Sequence, residues 1–328
     1  MSAINRVAVL GLGSMGRRHL QNAAALGLDV AAFDPDQSRA AEITQATGTR
    51  AAVSRQEALE NCDAVIIASP SASHLDDLSV AINAGRHVLI EKPFADRTAG
   101  LTELLTAAEA AGLIIAVAQN LRFHPAVERA RVTVAEGMIG PIMSAVSIGA
   151  SYLPDWRPGQ DYRNNFAADP VAGGVIFDWV HEIDMLIHLL GGAVAEGAAA
   201  VKNQHLDMPS EEQAGLLLRH AGGALSTLLL SYAVRPAVRR TFLLGAEGGM
   251  EIDIPARRIT IRNTDGALIE DDSYGGDHSD DYRSELTDFI AAVDTANAPR
   301  CSGREALDIL TTVIQARRLA GLPCAGDG

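Results

Sequence analysis

Three polar side chains in the second half of the chain are spaced for acid–base chemistry. Asp178, His181 and Glu182 lie at positions i, i+3 and i+4 of the otherwise apolar segment Val175–Leu190, so a single helix would present them on one face. Polar groups on a buried helix must face partners or a cavity. A neutral imidazole can accept an alcohol proton near neutral pH, and a carboxylate can orient the ring. The spacing predicts His181 as a general base oriented by Asp178.

Two other interpretations of this segment stay open. Asp184 and His188 also lie one turn apart, so His181, Asp184 and His188 could ligate a metal ion. No cluster of carboxylates elsewhere accompanies them, and we therefore expect no metal. The second alternative is that His181 is a core histidine whose hydrogen bonds are satisfied within the protein.

A glycine-rich turn near the N-terminus has the spacing of a dinucleotide-binding site. It follows the apolar run Val7–Leu10 and precedes a helical pattern, and Asp34 lies 18 residues beyond its last glycine. Such glycines permit a tight turn, a close approach of pyrophosphate to the backbone, and close packing of helix on strand. The pyrophosphate would bind at the positive end of the helix. The motif is Gly11-Leu12-Gly13-Ser14-Met15-Gly16.

Asp34 also bears on the choice of cofactor. A carboxylate at the end of the second strand can accept hydrogen bonds from ribose hydroxyls but repels a 2′-phosphate. The sequence therefore favours NAD over NADP. Arg39 is near enough to keep NADP as the less favoured alternative.

Further polar residues follow the later strands of the same predicted sheet. Ligands bind at the carboxyl edge of such sheets, so we expect these residues beside the nicotinamide half of the cofactor. For His74, a purely local hydrogen-bonding role is the favoured alternative. The residues are Ser69, Pro70, His74, Glu91, Lys92 and Gln119.

Lys92 ends the fifth strand in the motif Glu91-Lys92-Pro93. Burial and a cationic nicotinamide nearby would lower its pKa, so it could shuttle a proton or donate to the oxygen of a substrate. A surface lysine paired with Glu91 is the alternative.

Composition limits the class of protein. The chain has 328 residues, of which 48% are hydrophobic, which is enough for two domains with a substantial core. Its net charge of −14 and the lack of a basic stripe argue against nucleic acid or an anionic membrane surface as partners. We expect neither a membrane span nor a signal peptide. Three scattered cysteines, Cys62, Cys301 and Cys324, fit a cytoplasmic location.

The hydrophobic pattern predicts an α/β protein with two domains. Residues 1–122 alternate strands and helices, which is typical of a Rossmann domain with a doubly wound parallel sheet. Residues 123–328 read as an α+β substrate-binding domain with a largely antiparallel open sheet. The C-terminal helix at 303–320 could pack back on the first domain. Strands are predicted at 7–10, 30–34, 64–68, 87–91 and 114–119, and then at 141–150, 197–201, 213–219, 224–233, 239–245, 249–254 and 258–262.

These motifs together resemble the Gfo/Idh/MocA family, which includes glucose–fructose oxidoreductase, inositol dehydrogenase and the rhizopine-catabolism protein. The resemblance covers nearly the whole chain. It rests on the glycine turn, Ser69-Pro70 with His74, the Glu-Lys-Pro motif, Asn120–Pro125, and Gly173-Gly174 leading to His181-Glu182-Ile183-Asp184. Tyr282 with Glu285 and the segment Ser302–Ala306 also match family positions.

The resemblance implies an NAD(P)-dependent dehydrogenase acting on CH–OH groups, assembled as a homodimer or homotetramer. Hydride would pass between nicotinamide and a ring hydroxyl of a sugar, polyol or sugar nucleotide, with Lys92, His181 and Asp178 at the reacting oxygen. Many members carry the aspartate four residues before the histidine, whereas Phe177 occupies that position here. The candidates for the substrate pocket besides these three are Arg122, Trp156, Arg157, Tyr162 and Arg163.

Two other functions remain open within this resemblance. An NAD-dependent glycosidase would act by transient oxidation, without net release of NADH. A non-catalytic regulator would bind dinucleotide as a sensor, although it would have no need of an acid–base pair.

Overall fold

A computed structural model describes residues 3–326 of the chain as two compact units. The first contains the residues up to Asn120 together with His278–Leu307, and the second contains Leu121–Asp277 together with the residues from Asp308 onward. The predicted domains met at a single boundary, at residue 122. Within residues 3–326, no helix is both long and apolar enough to cross a membrane.

The first unit is built from alternating strands and helices. Its strands are β1 (Arg6–Leu10), β2 (Asp29–Phe33), β3 (Arg50–Ala51), β4 (Ala64–Ile67), β5 (His87–Ile90) and β6 (Ile115–Val117). The helices between them are α1 (Ser14–Ala25), α2 (Gln37–Thr47), α3 (Arg55–Glu60), α4 (His74–Asn83) and α5 (Leu101–Ala110). The short elements β3 and α3 were not predicted.

The six strands form one parallel sheet in the order β3-β2-β1-β4-β5-β6. This is the strand order of a Rossmann fold, with its switch point between β1 and β4, so the predicted fold class is confirmed. The strands are apolar throughout because both faces are covered, and Val7, Val9, Ile66 and Leu89 lie in the core.

The second unit holds the remaining strands and most of the later helices. The helices are α6 (Pro125–Ala135), α7 (Val175–Asp178) and α8 (Val180–Leu190). The strands are β7 (Ile142–Tyr152), β8 (Ala193–Lys202), β9 (Glu211–His220), β10 (Leu225–Ser231), β11 (Ala233–Gly245), β12 (Gly248–Asp253), β13 (Arg258–Asn263) and β14 (Leu268–Ser273). The predicted largely antiparallel sheet is confirmed, and β14 was not predicted.

These eight strands pair in the order β14-β13-β12-β11-β7-β10-β9-β8, and only β7 and β10 run parallel to each other. Burial alternates along β10, where Leu228 and Leu230 are buried while Leu225 and Leu229 are exposed. The alternation shows one face of this sheet packed on the core and the other face uncovered.

Two helices end the chain, α9 (His278–Thr295) and α10 (Gly303–Leu319). Leu286, Phe289 and Val293 of α9 are buried in the core of the parallel sheet. The sequence analysis assigned α9 to the second domain because it follows that domain in the chain. Its apolar face instead completes the first unit.

The helix predicted at Val175–Leu190 is broken, which corrects that prediction. Trp179 separates α7 from α8, with a ψ of 27° in place of a helical value. Its ring packs on Gly149 of β7, where a Cβ would lie 2.5 Å from the indole. Asp178 therefore ends one helix and His181 lies in the next, so the i, i+3 argument for a shared face was wrong.

A buried ion pair fixes the start of α7. Arg317 of α10 and Glu211 of β9 are both fully buried, and their side chains lie 2.7 Å apart. Arg317 also donates to the carbonyl oxygen of Gly173 at 2.9 Å, while Glu211 accepts from the amide of Ile176 at 3.2 Å. A Cβ on Gly174 would lie 2.1 Å from the Glu211 carboxylate, so glycine is required there.

Replacement of Arg317 with methionine is predicted to lower the free energy of unfolding by about 3–5 kcal/mol, because Glu211 would be left as a buried charge without its partner. Arg318→Met, one residue further along and exposed, is the matched control and should cost less than about 0.5 kcal/mol. Urea denaturation measures both values. The double variant Arg317→Met/Glu211→Gln should recover part of the loss, and a single variant as stable as the wild type would contradict the prediction.

Candidate active site

The turn between β1 and α1 requires glycine at two positions. Gly11 has a φ of +85°, and a Cβ there would lie 2.6 Å from the backbone nitrogen of Ser69. A Cβ on Gly16 would lie 1.8 Å from the carbonyl oxygen of Gly11. At Gly13, by contrast, a Cβ would meet no protein atom within 4 Å. The turn is thus tightly packed behind and open in front, as an approaching pyrophosphate needs.

Asp34 is held rigidly behind this turn. Its carboxylate accepts hydrogen bonds from the amides of Leu12 at 2.8 Å and Asp36 at 2.9 Å. Arg39 reaches both carboxylate oxygens at 3.2 Å, while its own side chain is 47% exposed. The acidic residue expected to bind ribose is therefore in place, with a cation beside it.

The turn opens onto a groove of about 570 Å³. Ser14 is the first residue of α1, and α1 has neither a side-chain cap nor an acidic residue in its first turn. An anion can therefore bind at the positive end of α1 without competition from a carboxylate. The residues present fit a dinucleotide. The groove is lined by Leu12, Gly13, Ser14, Arg17, Asp36, Ser38, Arg39 and Glu42.

The residues that follow β4 are held by contacts within the protein. The hydroxyl of Ser69 donates to Asp77 at 2.6 Å, and Pro70 is exposed. His74 is buried, with Nε2 at 2.8 Å from the carbonyl oxygen of Ser69 and Nδ1 at 3.0 Å from that of Pro93. His74 thus ties the segment after β4 to the segment after β5, which is the local role given as the alternative.

Lys92 lies just beyond β5 and is partly buried. It is one of only two lysines in the sequence. The preceding Glu91 is buried and pairs with His19 of α1 rather than forming a surface pair, with Oε1 of Glu91 2.8 Å from Nε2 of His19. Gln119 is also buried and lies two residues past β6. Because the strands are parallel, Gly11, Lys92 and Gln119 all follow strand ends at one edge of the sheet.

In the second unit, Asp178 and His181 are each 9% exposed. Tyr232, which follows β10, donates a hydrogen bond to Oδ2 of Asp178 at 3.0 Å. Burial, followed by the charge and hydrogen bond of Asp178, raises the pKa of Tyr232 well above its ordinary value. The tyrosine therefore stays protonated and acts as a donor to Asp178.

The two carboxylates of α8 pair with arginines. Glu182 pairs with Arg239 of β11 at 2.5 Å, and this guanidinium also lies over the Trp179 ring at 5.3 Å. Asp184 pairs with Arg122 at 2.7 Å, and both side chains are almost fully buried. Arg122, expected in the substrate pocket, thus holds α8 in place. Among residues 3–326, no three His, Cys, Asp or Glu side chains group as a metal site would need.

The polar loop after β7 contains three short 3-10 turns, at Leu153–Asp155, Tyr162–Asn164 and Phe166–Ala168. Trp156 is 42% exposed and stands edge-on to Tyr232 and Trp179, with ring centroids 5.6 and 6.1 Å away. It therefore presents an exposed aromatic surface next to the Asp178 partner.

The remaining substrate candidates follow Trp156 in the same loop. Arg157 and Tyr162 line a cavity of about 300 Å³. Arg163 is exposed and pairs with Asp161 at 2.8 Å and Asp207 at 3.2 Å. Its charge is therefore already balanced within the protein.

Three residues that contact the candidate residues within their own units were not predicted from the sequence: His19, Tyr232 and Arg239. His19 follows the glycine turn by three residues and faces the core from α1. This helical spacing from the glycine turn could have identified His19 from the sequence. Tyr232 and Arg239 lie on or next to strands, and only the sheet register brings them to α7 and α8.

Two family models match this chain, one in each unit. Residues 5–119 match the model of the oxidoreductase family with an NAD-binding Rossmann fold, and residues 127–251 match the GFO/IDH/MocA C-terminal domain. The chain is 27% identical over 324 residues to UDP-N-acetylglucosamine 3-dehydrogenase of Acidithiobacillus ferrooxidans, covering 95% of this chain and 96% of that protein. It is 30% identical over 274 residues to D-apiose dehydrogenase of Paraburkholderia graminis, covering 79% and 70%.

A solved structure of UDP-N-acetylglucosamine 3-dehydrogenase from Acidithiobacillus ferrooxidans superimposes with a TM-score of 0.81 at 25% identity, covering 96% of this chain and 97% of that one. The predicted resemblance is thereby confirmed. The chain belongs to the GFO/IDH/MocA oxidoreductase family and is an NAD(P)-dependent oxidoreductase with an NAD-binding Rossmann domain.

Proposed function

We propose that this protein oxidises a ring hydroxyl of a sugar, polyol or sugar nucleotide, or catalyses the reverse reduction. The observation that carries the proposal is the position of Lys92 at the carboxyl edge of the sheet that holds the glycine turn. The names of the relatives, which act on UDP-N-acetylglucosamine and D-apiose, support a sugar-like substrate.

The proposed chemistry divides the work between three residues of this chain. A bound nicotinamide would supply the hydride acceptor for the carbinol carbon. His181 takes the hydroxyl proton as that carbon becomes a carbonyl carbon, and Asp178 stabilises the imidazolium that results. Lys92 donates a hydrogen bond to the reacting oxygen. Tyr232 keeps the Asp178 carboxylate in a fixed direction.

The surroundings of Asp178 also support a sugar as the substrate. Trp156 exposes 42% of its surface beside Tyr232 and Trp179. An exposed aromatic ring next to acid–base residues gives an apolar platform for the C–H face of a sugar ring. We propose Trp156 as that platform, with Arg157 and Tyr162 at the cavity further along the loop.

Replacement of the two acid–base residues tests this function. Lys92→Met and His181→Ala are each expected to lower kcat by about 10²–10⁴-fold, because each removes a group that transfers or donates a proton at the reacting oxygen. The measurement is NADH formation with a panel of sugars and sugar nucleotides, preselected by the rise in melting temperature that they cause in the presence of NAD.

The control for both variants is NAD binding by calorimetry, together with the melting temperature, which must match the wild type. Full turnover by either folded variant would refute the mechanism. Release of reducing sugar without net NADH would favour the glycosidase, and NAD binding without turnover of any sugar would favour the sensor.

We propose NAD as the preferred cofactor, with Asp34 as the acceptor for the ribose hydroxyls. In support, two backbone amides hold the Asp34 carboxylate beside the glycine turn. Asp34→Asn, which removes the charge but keeps the shape, is expected to raise the NADP-to-NAD ratio of kcat/KM by on the order of tenfold, or about 1.4 kcal/mol. Arg39→Ala should lower the use of NADP while leaving NAD little changed. An unchanged ratio in Asp34→Asn would contradict this assignment.

We also propose a cytoplasmic homo-oligomer. The three cysteines are buried and form no disulfide within residues 3–326. The uncovered sheet face carries Leu225, Val146, Leu229 and Leu244, which are 38–52% exposed. Adjacent exposed apolar residues on one sheet face are typical of a subunit interface.

Replacement of Leu229 tests the interface. Leu229→Lys is expected to convert the wild-type dimer or tetramer to a smaller species, because each interface would then bury a lysine charge. Light scattering after size exclusion measures the mass. Val53→Lys, at a residue 77% exposed in the first unit, is the matched control and should keep the wild-type mass. A monomeric wild type would refute the proposal.

A further inference from the structure

A buried histidine that the proposed reaction does not use connects α1 to the residue before Lys92. His19 lies in the second turn of α1 and has no exposed surface. Its Nε2 lies 2.8 Å from Oε1 of Glu91. Since Glu91 immediately follows β5, this contact joins the helix at the dinucleotide groove to the strand end that carries Lys92.

The second oxygen of Glu91 completes the connection. Oε2 accepts a hydrogen bond from the backbone amide of Lys92 at 3.1 Å. One carboxylate thus bridges the His19 ring and the peptide at which Lys92 begins. A side chain held at both oxygens cannot rotate without losing a buried hydrogen bond, which costs about 1–3 kcal/mol.

The charge of Glu91 depends on these contacts. Burial acts to raise the pKa of Glu91, but the hydrogen bond and charge of His19, followed by the charge and amide of Lys92, together hold it below its ordinary value. The carboxylate is therefore ionised next to Lys92. Without its donor, burial would favour the neutral acid.

Aromatic and charged side chains lie near the contact between His19 and Glu91. Tyr282 of α9 stands edge-on to the His19 ring, with centroids 6.2 Å apart, and the guanidinium of Arg18 lies 4.6 Å over the Tyr282 ring. His74 of α4 also experiences the charge of Glu91. The contact between His19 and Glu91 therefore has Tyr282 and His74 among its neighbours.

We propose that His19 is a positioning residue for Lys92, acting through Glu91 to fix both the direction of the Lys92 peptide and the negative charge beside its ammonium group. The inference rests on the proposed function, because Lys92 is assumed to be the donor to the substrate oxygen. It assigns Lys92 the role of a charged donor rather than a proton shuttle, and leaves the proton to His181.

Chemical labelling of lysine tests the role of His19 directly, because Lys92 and Lys202 are the only lysines in the sequence. Lys202 is exposed at the end of β8 and serves as the internal reference. Acetylation of each lysine by acetic anhydride, followed by mass spectrometry across a pH series, gives the apparent pKa of Lys92 without any turnover.

His19→Leu is expected to lower the labelling pKa of Lys92 by about one unit, because the Glu91 carboxylate loses the contact that holds it beside the Lys92 ammonium group. His19→Gln, whose amide can still donate to Glu91, should stay within about 0.3 units of the wild type. Glu91→Gln, which keeps the shape but removes the charge, should lower the labelling pKa as His19→Leu does. The Glu91→Gln result tests the proposed role of His19 if His19→Leu does not fold.

Turnover gives a second readout, with UDP-N-acetylglucosamine and D-apiose as trial substrates. His19→Leu is expected to lower kcat by about 10–100-fold while the Kd for NAD stays within about threefold, since a displaced catalytic group costs rate rather than cofactor affinity. His19→Gln should restore most of kcat. If neither sugar is oxidised, the labelling result alone decides.

The two proposals fail in different ways. A labelling curve for Lys92 that stays in place or moves to higher pH in both His19→Leu and Glu91→Gln overturns the role of His19. Full turnover by Lys92→Met overturns the proposed function, whatever the labelling curves show.

Discussion

The contact between Gly16 and the carbonyl oxygen of Gly11 is the constraint on which the first unit depends. A Cβ at Gly16 would lie 1.8 Å from that oxygen, so only glycine lets α1 begin directly against the turn after β1. The same close packing points the N-terminal amides of α1 into the groove. Three residues further along, it brings His19 within 2.8 Å of Glu91. One small residue thus determines both the anion site and the surroundings of Lys92.

In the second unit, buried carboxylates paired with an arginine or a tyrosine hold α7 and α8 in place. A buried charge without a partner costs several kcal/mol, so each carboxylate fixes the element that carries its partner. His181 lies between two of these pairs along the chain, and its surroundings follow from them. The carboxylates and their partners are Asp178 with Tyr232, Glu182 with Arg239, Asp184 with Arg122, and Glu211 with Arg317.

The features that the sequence predicted well are those with local causes. The glycine turn, the apolar parallel strands and the alternating strands of the second sheet each follow from neighbouring residues, and the structure contains them all. The failures have long-range causes. The helix break at Trp179 depends on the indole packing against Gly149, 30 residues earlier in the chain. Likewise, the pairing of Arg122 with Asp184 joins residues 62 positions apart, so no local pattern predicts it.

The sequence by itself determined the family and the glycine turn with Asp34, and it predicted Lys92, Asp178 and His181 as catalytic residues, because motif spacing and strand order are written in consecutive residues. Only the tertiary structure decided which charged groups already have partners inside the protein. It pairs Arg122 with Asp184, Glu91 with His19, and Asp178 with Tyr232. Those pairings join residues 54 to 72 positions apart, and burial makes them obligatory, yet no local pattern records them.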